Sequence, residues 1–221
     1  MTVKNTYLLP LIPDIINQIS DSKARYFMKL DVHWGYNNVQ IKEGDEWKAA
    51  FQTNWGLFKP LVMFFSLTNS LATFQIMMND IFKDLIDEGY VAVYMDDILV
   101  YTCTIEHHRE VVTQVLDVLQ KHQLYLKVEK CTFKCTTVEY LGLVLSEGRV
   151  EMVPVKIARV RDWLTPKNVT EVQSFVGFVN FYHRFIPEFS HVASPLHRLT
   201  KKVEPWQWTE PEEAVSYQCS Q

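Results

Sequence analysis

The feature that most constrains the fold is an acidic pair set between two apolar runs. The sequence Tyr94-Met95-Asp96-Asp97 separates residues 91–93 from residues 98–101. β-Branched and aromatic residues on both sides predict two strands, and adjacent Asp residues favour a tight turn between them. Two neighbouring carboxylates repel each other and are costly to bury without a counter-charge. The pattern therefore predicts a hairpin whose turn is either simply solvated or part of a cation site.

Hydrophobic periodicity along the rest of the chain predicts an α+β protein. Aromatic-rich and period-two segments predict strands at residues 26–31, 39–41, 47–53, 58–65 and 138–145. Apolar stripes at helical spacing predict helices at residues 74–85 and 107–122, and a helical pattern throughout from residue 149. In that last part, Pro154 suits a first helical position and Asn168-x-x-Glu171 has the form of a capping box.

Charge is distributed unevenly along the chain. Residues 1–148 carry 13 Lys+Arg against 18 Asp+Glu, whereas residues 149–202 carry 9 against 4. The net charge of the whole chain is −4, which is not typical of a general nucleic-acid binder. The basic segment is nevertheless a candidate for phosphate contact. The alternative is a solvated helical face with an uneven charge.

Composition indicates a chain that can build a core in a reducing compartment. Its 221 residues are 48% hydrophobic. Nothing approaches the run of about 18 apolar residues that a membrane span needs. The four cysteines are scattered, and Cys131-x3-Cys135 is at most half of a four-ligand zinc site. We therefore expect an intracellular protein with free thiols and no membrane partner.

A third carboxylate stands at the end of a predicted strand. Asp31 ends residues 26–31 and is followed by His33-Trp34-Gly35-Tyr36. Two-metal phosphoryl-transfer sites need several carboxylates that converge on ions about 3.5–4 Å apart. If the strand of Asp31 neighbours the hairpin of Asp96 and Asp97, these three residues supply such a cluster.

Several ordered motifs resemble a reverse transcriptase, and they are most similar to those of gypsy-type long-terminal-repeat retrotransposons. The motifs lie at residues 29–36, 41–51, 67–69, 72–75 and 94–100. The likeness runs from about Asn5 to Trp208. It implies a polymerase palm, an antiparallel sheet backed by helices, followed by a helical thumb. The implied domains are a palm with partial fingers (1–148), a thumb (149–202) and a truncated start of the connection toward an RNase H domain (203–221).

Carried over residue by residue, the resemblance implies a site for two-metal nucleotidyl transfer. The implied catalytic residues are Asp31, Asp96, Asp97 and Lys130, the last as a general acid. The implied metal ligands are the three aspartates and the backbone carbonyl of Val32. The implied nucleotide-binding residues are Tyr36 (a steric gate against the 2′-hydroxyl), Phe65 and Gln75. The implied primer grip is Tyr140, Leu141 and Gly142.

The same resemblance implies an RNA-directed DNA polymerase that uses two Mg²⁺ ions, with Mn²⁺ as a substitute. Its implied partners are an RNA or DNA template with a DNA primer, deoxynucleoside triphosphates, and the missing polyprotein domains, namely fingers and RNase H. The expected location is the cytoplasm, a virus-like particle or the nucleus.

Two other functions stay open. A catalytically inactive retroelement remnant, binding nucleic acid at most, is favoured by the expected loss of most of the fingers. It is also favoured by Ser66 and Leu71, which stand where the family usually has Gly and Pro. A metal-dependent nuclease using the same three acids is weakly disfavoured, because no additional His or Glu is tied to activating a water.

Overall fold

Strands and helices alternate in the first part of the chain, and helices predominate after it. The computed structural model describes residues 3–201, 206–210 and 212. Its strands are β1 (Tyr26–Asp31), β2 (Phe51–Thr53), β3 (Gly56–Phe58), β4 (Val91–Tyr94), β5 (Asp97–Thr102), β6 (Thr132–Cys135), β7 (Thr137–Tyr140), β8 (Leu143–Ser146) and β9 (Arg149–Met152). Its α-helices are α1 (Ile12–Asp21), α2 (Ser70–Ile81), α3 (Lys83–Asp87), α4 (Ile105–Lys121), α5 (Pro154–Arg161), α6 (Val169–Asn180), α7 (Phe189–Val192) and α8 (Ser194–Leu199). The chain divides into two compact units, Met1–Val150 and Glu151–Gln221.

A four-stranded antiparallel sheet is the centre of the first unit. Its strand order is β4-β5-β1-β6, so both neighbours of β1 come from much later in the chain. Strands β4 and β5 form the predicted hairpin, in which Tyr94 pairs with Asp97 across the turn. Strand β1 runs antiparallel to β5 with Asp31 opposite Asp97. The sheet therefore brings the end of β1 to the acidic turn.

The two faces of this sheet differ in kind. Because side chains alternate along a strand, Leu30 of β1 and its partner Ile98 of β5 lie on one face. Helices α2 and α4 cover this face with one hydrophobic core. The core includes Met28, Phe74, Met78, Val111, Val115 and Leu119. The opposite face carries Asp31 and its partner Asp97.

Several predicted elements are confirmed and others need correction. The hairpin and the helix around residues 107–122 are present, but the helix predicted at 74–85 is two helices, α2 and α3. Residues 39–41 form no strand and contribute a single bridge from Gln40 to Val62. The strands predicted at 47–53 and 58–65 shrink to the short pair β2 and β3.

The strand predicted at residues 138–145 is a hairpin. Leu141 and Gly142 have φ angles of +50° and +78°, which reverse the chain between β7 and β8. Strand β9 then pairs in the same three-stranded sheet, so the pattern after residue 149 is not helical from its start. Helix α1 was not predicted, although Ile15, Ile16 and Ile19 bury an apolar face.

Short helices packed around one apolar cluster form the second unit. Helix α5 begins at Pro154, as predicted. The predicted cap is present with one change: Asn168 Oδ1 accepts a hydrogen bond from the Glu171 N–H at 3.0 Å, but Glu171 Oε2 accepts one from the N–H of Lys167, the residue before the cap, at 2.8 Å. The buried residues of the cluster are Val160, Val172, Phe175, Val176, Val179, Leu196 and Leu199.

The predicted remnant at 203–221 lies largely outside the described residues. Within the part that is described, the rings of Trp206 and Trp208 stack with centroids 6.2 Å apart. Glu212 is buried, and its Oε1 accepts a hydrogen bond from Arg198 at 3.2 Å. No helix in the described ranges has the length and apolar character to cross a membrane.

Candidate active site

The hairpin of β4 and β5 holds the acidic pair: Asp96 lies in its two-residue turn, and Asp97 is the first residue of β5. Met95 in this turn has a φ of +54°, a left-handed conformation that costs a non-glycine residue about 1 kcal/mol. Its backbone N–H donates to Gln75 Oε1 at 2.7 Å. A specific side-chain acceptor therefore stabilises the strained residue that directly precedes Asp96.

Gln75 connects helix α2 to this hairpin. The residue is fully buried, and its Nε2 donates to the Val93 carbonyl at 3.1 Å and to Asn79 Oδ1 at 2.8 Å. The resemblance implied a nucleotide-binding role for Gln75, but its amide is engaged by the hairpin. Its contribution in this structure is to position the turn, which a motif comparison does not reveal.

The strand register brings the three aspartates together. Asp31 is the cross-strand partner of Asp97, and the Val32 N–H donates to the Asp96 carbonyl at 2.9 Å. Asp31 is only 8% exposed, at the end of β1. Residues more than 60 positions apart in sequence therefore meet at one edge of the sheet.

Two lysines neutralise part of this negative charge. Lys130 Nζ donates to Asp31 Oδ2 at 3.1 Å, and Lys29 Nζ lies 3.3 Å from Asp97 Oδ1. The hydrogen bond to Asp31 raises the pKa of Lys130, so its ammonium form is favoured. Burial raises the pKa of Asp97; the Lys29 charge opposes this effect, and Asp96 and Asp31 add to it.

The residues fit divalent cations in chemistry and in strand register. Mg²⁺ prefers carboxylate and carbonyl oxygens, which Asp31, Val32, Asp96 and Asp97 offer at one sheet edge. Among the described residues, however, no three His, Cys, Asp or Glu side chains converge as a metal centre. The Asp31 and Asp97 carboxylates are turned toward lysines instead. Metal binding would therefore require the Asp31 and Asp97 carboxylates to turn away from these lysines.

Tyr36 lies next to the turn in an aromatic cluster. It belongs to a short 3₁₀ helix, Gly35–Asn38, and its ring packs on Phe74 and Phe65 with centroid distances of 5.1 and 5.6 Å. Its hydroxyl donates to Met95 Sδ at 3.8 Å. A Cβ at Gly35 would stand 2.5 Å from Phe74 Cζ, so only glycine permits this packing. Tyr36 is thus fixed beside the acidic turn.

The other predicted site residues differ in accessibility. Phe65 is 70% exposed, whereas Tyr140 is fully buried and its hydroxyl has no hydrogen-bond partner among the described residues. Burial raises the pKa of Tyr140, and the charge of Asp97 adds to the effect. Of the predicted primer grip, therefore, Leu141 and Gly142 form the turn while Tyr140 packs beneath the acidic face.

The departures from the family motif leave helix α2 intact. The helix begins at Ser70, whose Oγ donates to the Phe64 carbonyl at 2.7 Å, with Leu71 as its second residue. Ser66 is exposed in the preceding turn. The missing proline therefore does not prevent the helix from starting.

Comparison with known sequences identifies the family. The sequence matches the profile described as reverse transcriptase (RNA-dependent DNA polymerase) over residues 1–145, which is more than half of the chain. The chain belongs to the reverse transcriptase family. The predicted likeness to reverse transcriptases of long-terminal-repeat retrotransposons is thereby confirmed.

Relatives of this reverse transcriptase chain include transposon polyproteins of Schizosaccharomyces pombe. The Transposon Tf2-3 polyprotein is 36% identical over 205 residues, which are 93% of this chain and 15% of that polyprotein. The Transposon Tf2-7 polyprotein is 35% identical over the same length. The chain thus spans about 15% of the length of the curated relatives it matches.

Solved structures of foamy viral protease-reverse transcriptase have the same fold. The structure in complex with double-stranded DNA has a TM-score of 0.82 and 23% identity, covering 89% of this chain and 35% of that chain. The structure in complex with an RNA/DNA hybrid has a TM-score of 0.81 and 20% identity, covering 99% and 29%. The α+β fold predicted for this reverse transcriptase, a polymerase palm followed by a helical thumb, is confirmed.

Proposed function

We propose that this chain carries the nucleotidyl-transfer site of an RNA-directed DNA polymerase from a retrotransposon polyprotein. The observation that carries the proposal is the register of β1 against β5, with Asp31 opposite Asp97 and the Val32 N–H bonded to the Asp96 carbonyl. In the proposed reaction, the 3′-hydroxyl of a primer attacks the α-phosphate of a deoxynucleoside triphosphate and releases pyrophosphate.

The carboxylates would hold two Mg²⁺ ions, with Mn²⁺ as a substitute. Asp31, Asp96 and Asp97 and the Val32 carbonyl are the ligands we assign. When bound, such ions lower the pKa of an attacking hydroxyl and neutralise the charge of the triphosphate. The chain itself positions the backbone of these acids: β1 and β5 hold Asp31 opposite Asp97, and the Val32 N–H donates to the Asp96 carbonyl.

Lys130 is the proposed general acid for the leaving pyrophosphate. A lysine is protonated at neutral pH and so has a proton to donate. The hydrogen bond to Asp31, which raises the pKa of Lys130, holds its ammonium group beside the carboxylates. Its side chain is more than half exposed, which leaves it accessible to a substrate. Tyr36, fixed by Phe74 beneath the turn, is the proposed steric gate that favours deoxynucleotides.

The remaining roles concern nucleotide, primer and duplex. We assign two further residues to the nucleotide pocket. Phe65 is exposed and packs beside Tyr36, and Gln75 lies behind the hairpin and positions its turn. The turn at Leu141 and Gly142, with Tyr140 beneath it, is assigned to the primer end. Residues 1–148 are the proposed palm with partial fingers, and the basic residues 149–202 the proposed thumb on the template–primer duplex.

The polyprotein context supplies the other proposed partners. Missing fingers and RNase H domains would complete the enzyme, with residues 203–221 leading toward the RNase H domain. We place its activity inside the cell, in the cytoplasm, a virus-like particle or the nucleus, because Cys103, Cys131 and Cys135 are free thiols.

A non-catalytic remnant that binds nucleic acid is the second candidate. The observation in its favour is that the Asp31 and Asp97 carboxylates pair with lysines and do not converge with a third acid in the described residues. The two candidates differ in whether the aspartates matter for anything beyond stability.

Primer extension separates the two candidates. With an RNA template, a DNA primer, deoxynucleotides and Mg²⁺, we expect the 221-residue chain to extend the primer. The Asp96→Asn variant should lose activity by about 10³-fold, since it removes one ligand charge. Extension equal to that of Asp96→Asn would contradict the polymerase and favour the remnant.

A further inference from the structure

Lys29 occupies an unusual place for a lysine. It lies inside β1, two residues before Asp31, and therefore on the same face of the sheet. Its cross-strand partner is Leu99, so Asp97 is its diagonal neighbour on β5. A half-buried central strand rarely carries lysine unless the ammonium group has a partner.

The partner of Lys29 is the Asp97 carboxylate. Nζ and Oδ1 are 3.3 Å apart, and both side chains are about a quarter exposed, at 24% and 27%. Partial burial weakens solvent screening, so this pair is stronger than an ion pair on the open surface. The Lys130–Asp31 pair is similar in distance, but its lysine is 55% exposed.

Two lysine side chains of the chain itself therefore compensate part of the negative charge of the aspartates. Three carboxylates, those of Asp31, Asp96 and Asp97, meet two ammonium groups. Lys130 extends from the short helix Val128–Lys130, and its side chain is 55% exposed even though it bonds to Asp31. Lys29 is anchored in the central strand and cannot withdraw as far. A divalent cation at Asp97 consequently has to share that carboxylate with a resident positive charge.

We propose that Lys29 is a positioning residue that acts as a built-in counter-cation for Asp97. It holds the Asp97 carboxylate in place and competes with a divalent cation for it. The inference depends on the proposed metal site and adds a residue to it. Lys29 thus sets how tightly the site binds its metal, because like charges repel at short range.

The test measures Mn²⁺ binding by the full chain, from the loss of the free-ion EPR signal. Lys29→Met keeps the length of the side chain and removes its charge. We expect it to bind Mn²⁺ on the order of tenfold more tightly than the wild type. Without metal, it should melt a few degrees lower, because three carboxylates lose a counter-charge, and Mn²⁺ should restore more of its melting temperature.

Two matched variants control for charge and folding. Lys29→Arg keeps the positive charge and should bind Mn²⁺ like the wild type. Lys121→Met removes one exposed positive charge at the end of α4 and should change the affinity by less than about twofold.

The outcomes separate this inference from the proposed function. Equal or weaker Mn²⁺ binding by Lys29→Met, with normal binding by the wild type, would overturn the role of Lys29 alone. If the wild type binds no Mn²⁺, and Asp96→Asn behaves identically, the proposed metal site fails and the inference fails with it.

Discussion

At the scale of single residues, the conformation of the acidic turn depends on a side chain from helix α2. Met95 adopts a left-handed conformation, and Gln75 offsets part of its cost by accepting the Met95 N–H. The same amide occupies the Val93 carbonyl on the adjoining strand. An uncharged buried side chain therefore supports the placement of Asp96 and Asp97, which are themselves partly buried.

Replacing Gln75 with leucine should destabilise the protein strongly. The Met95 N–H and the Val93 carbonyl would lose their side-chain partner, and each unpaired group costs about 1–3 kcal/mol. We expect the free energy of unfolding in urea to fall by about 2–4 kcal/mol. The control is Gln114→Leu, on the exposed side of α4, which should stay within about 0.5 kcal/mol of the wild type.

Tyr101 should make the protein sensitive to alkali. Burial raises its pKa to about 12, while an unfolded tyrosine ionises near 10. Its contribution to stability is therefore intact below pH 10 and is lost as the pH rises from about 10 to 12, because only the unfolded chain ionises there.

The measurement compares urea unfolding at pH 9 and pH 11.5. Tyr101→Phe should lose about 1–2 kcal/mol less than the wild type between these two pH values. Tyr125→Phe serves as the matched control, since Tyr125 is 70% exposed. If the wild type and Tyr101→Phe lose the same free energy of unfolding between these pH values, Tyr101 is not the source of the alkaline sensitivity.

At the scale of elements, sequence patterns predicted most of what local physics decides. Two apolar runs around the acidic turn indicated the hairpin, and Asn168-x-x-Glu171 indicated the start of α6. They missed α1, although Ile15, Ile16 and Ile19 carry a helical signal beside Pro13. The local pattern also predicted a continuous strand through Leu141, because leucine has no preference for a positive φ; the hairpin there was implied only by the family resemblance.

The meeting of distant elements was beyond local patterns. Nothing within residues 26–31 indicates that β1 pairs with β5, so convergence of the aspartates came from the family resemblance. The position of Lys29 was predictable, since period-two alternation places it on the face of Asp31. Its pairing with Asp97 required the register. The interior place of Gln75 required the three-dimensional packing of α2 on the hairpin.

The cap of α6 gives a prediction at this scale. Asn168→Ala removes the acceptor of the Glu171 N–H, and we expect a loss of about 1 kcal/mol. Scanning calorimetry should show this loss as a lower melting temperature. Asn180→Ala, at the exposed far end of the same helix, should have little effect. Comparable losses in both variants would mean that the cap is not the cause.

At the scale of the whole molecule, charge is distributed unevenly along the chain. Residues 1–148, which are acidic overall, contain Asp31, Asp96 and Asp97, whereas residues 149–202 carry 9 basic and 4 acidic residues. A thumb that holds a nucleic-acid duplex needs such an excess, because phosphate contacts release bound counterions. The polymerase proposal therefore predicts binding that depends strongly on salt.

Duplex binding should weaken by about 10³-fold or more between 50 and 200 mM salt if six or more phosphates are contacted. Fluorescence anisotropy of a labelled RNA/DNA hybrid measures it. Arg159→Gln, on the exposed surface of α5, should reduce the slope of log K against log salt by about one. Lys121→Gln lies outside the proposed thumb, in the acidic residues 1–148, and should leave this slope unchanged. A duplex affinity that does not change with salt concentration would contradict the assignment of residues 149–202 as the thumb.

The central position of β1 also has a consequence in time. Its two neighbours lie at residues 97–102 and 132–135, so the strand that ends in Asp31 has no partner until the chain has returned over more than 60 residues, and its second side waits for β6. Closing such long loops is slow compared with forming helices from neighbouring residues. We therefore expect the three aspartates to come together later in folding than the helices form, because Asp31 must wait for a strand more than 60 residues away.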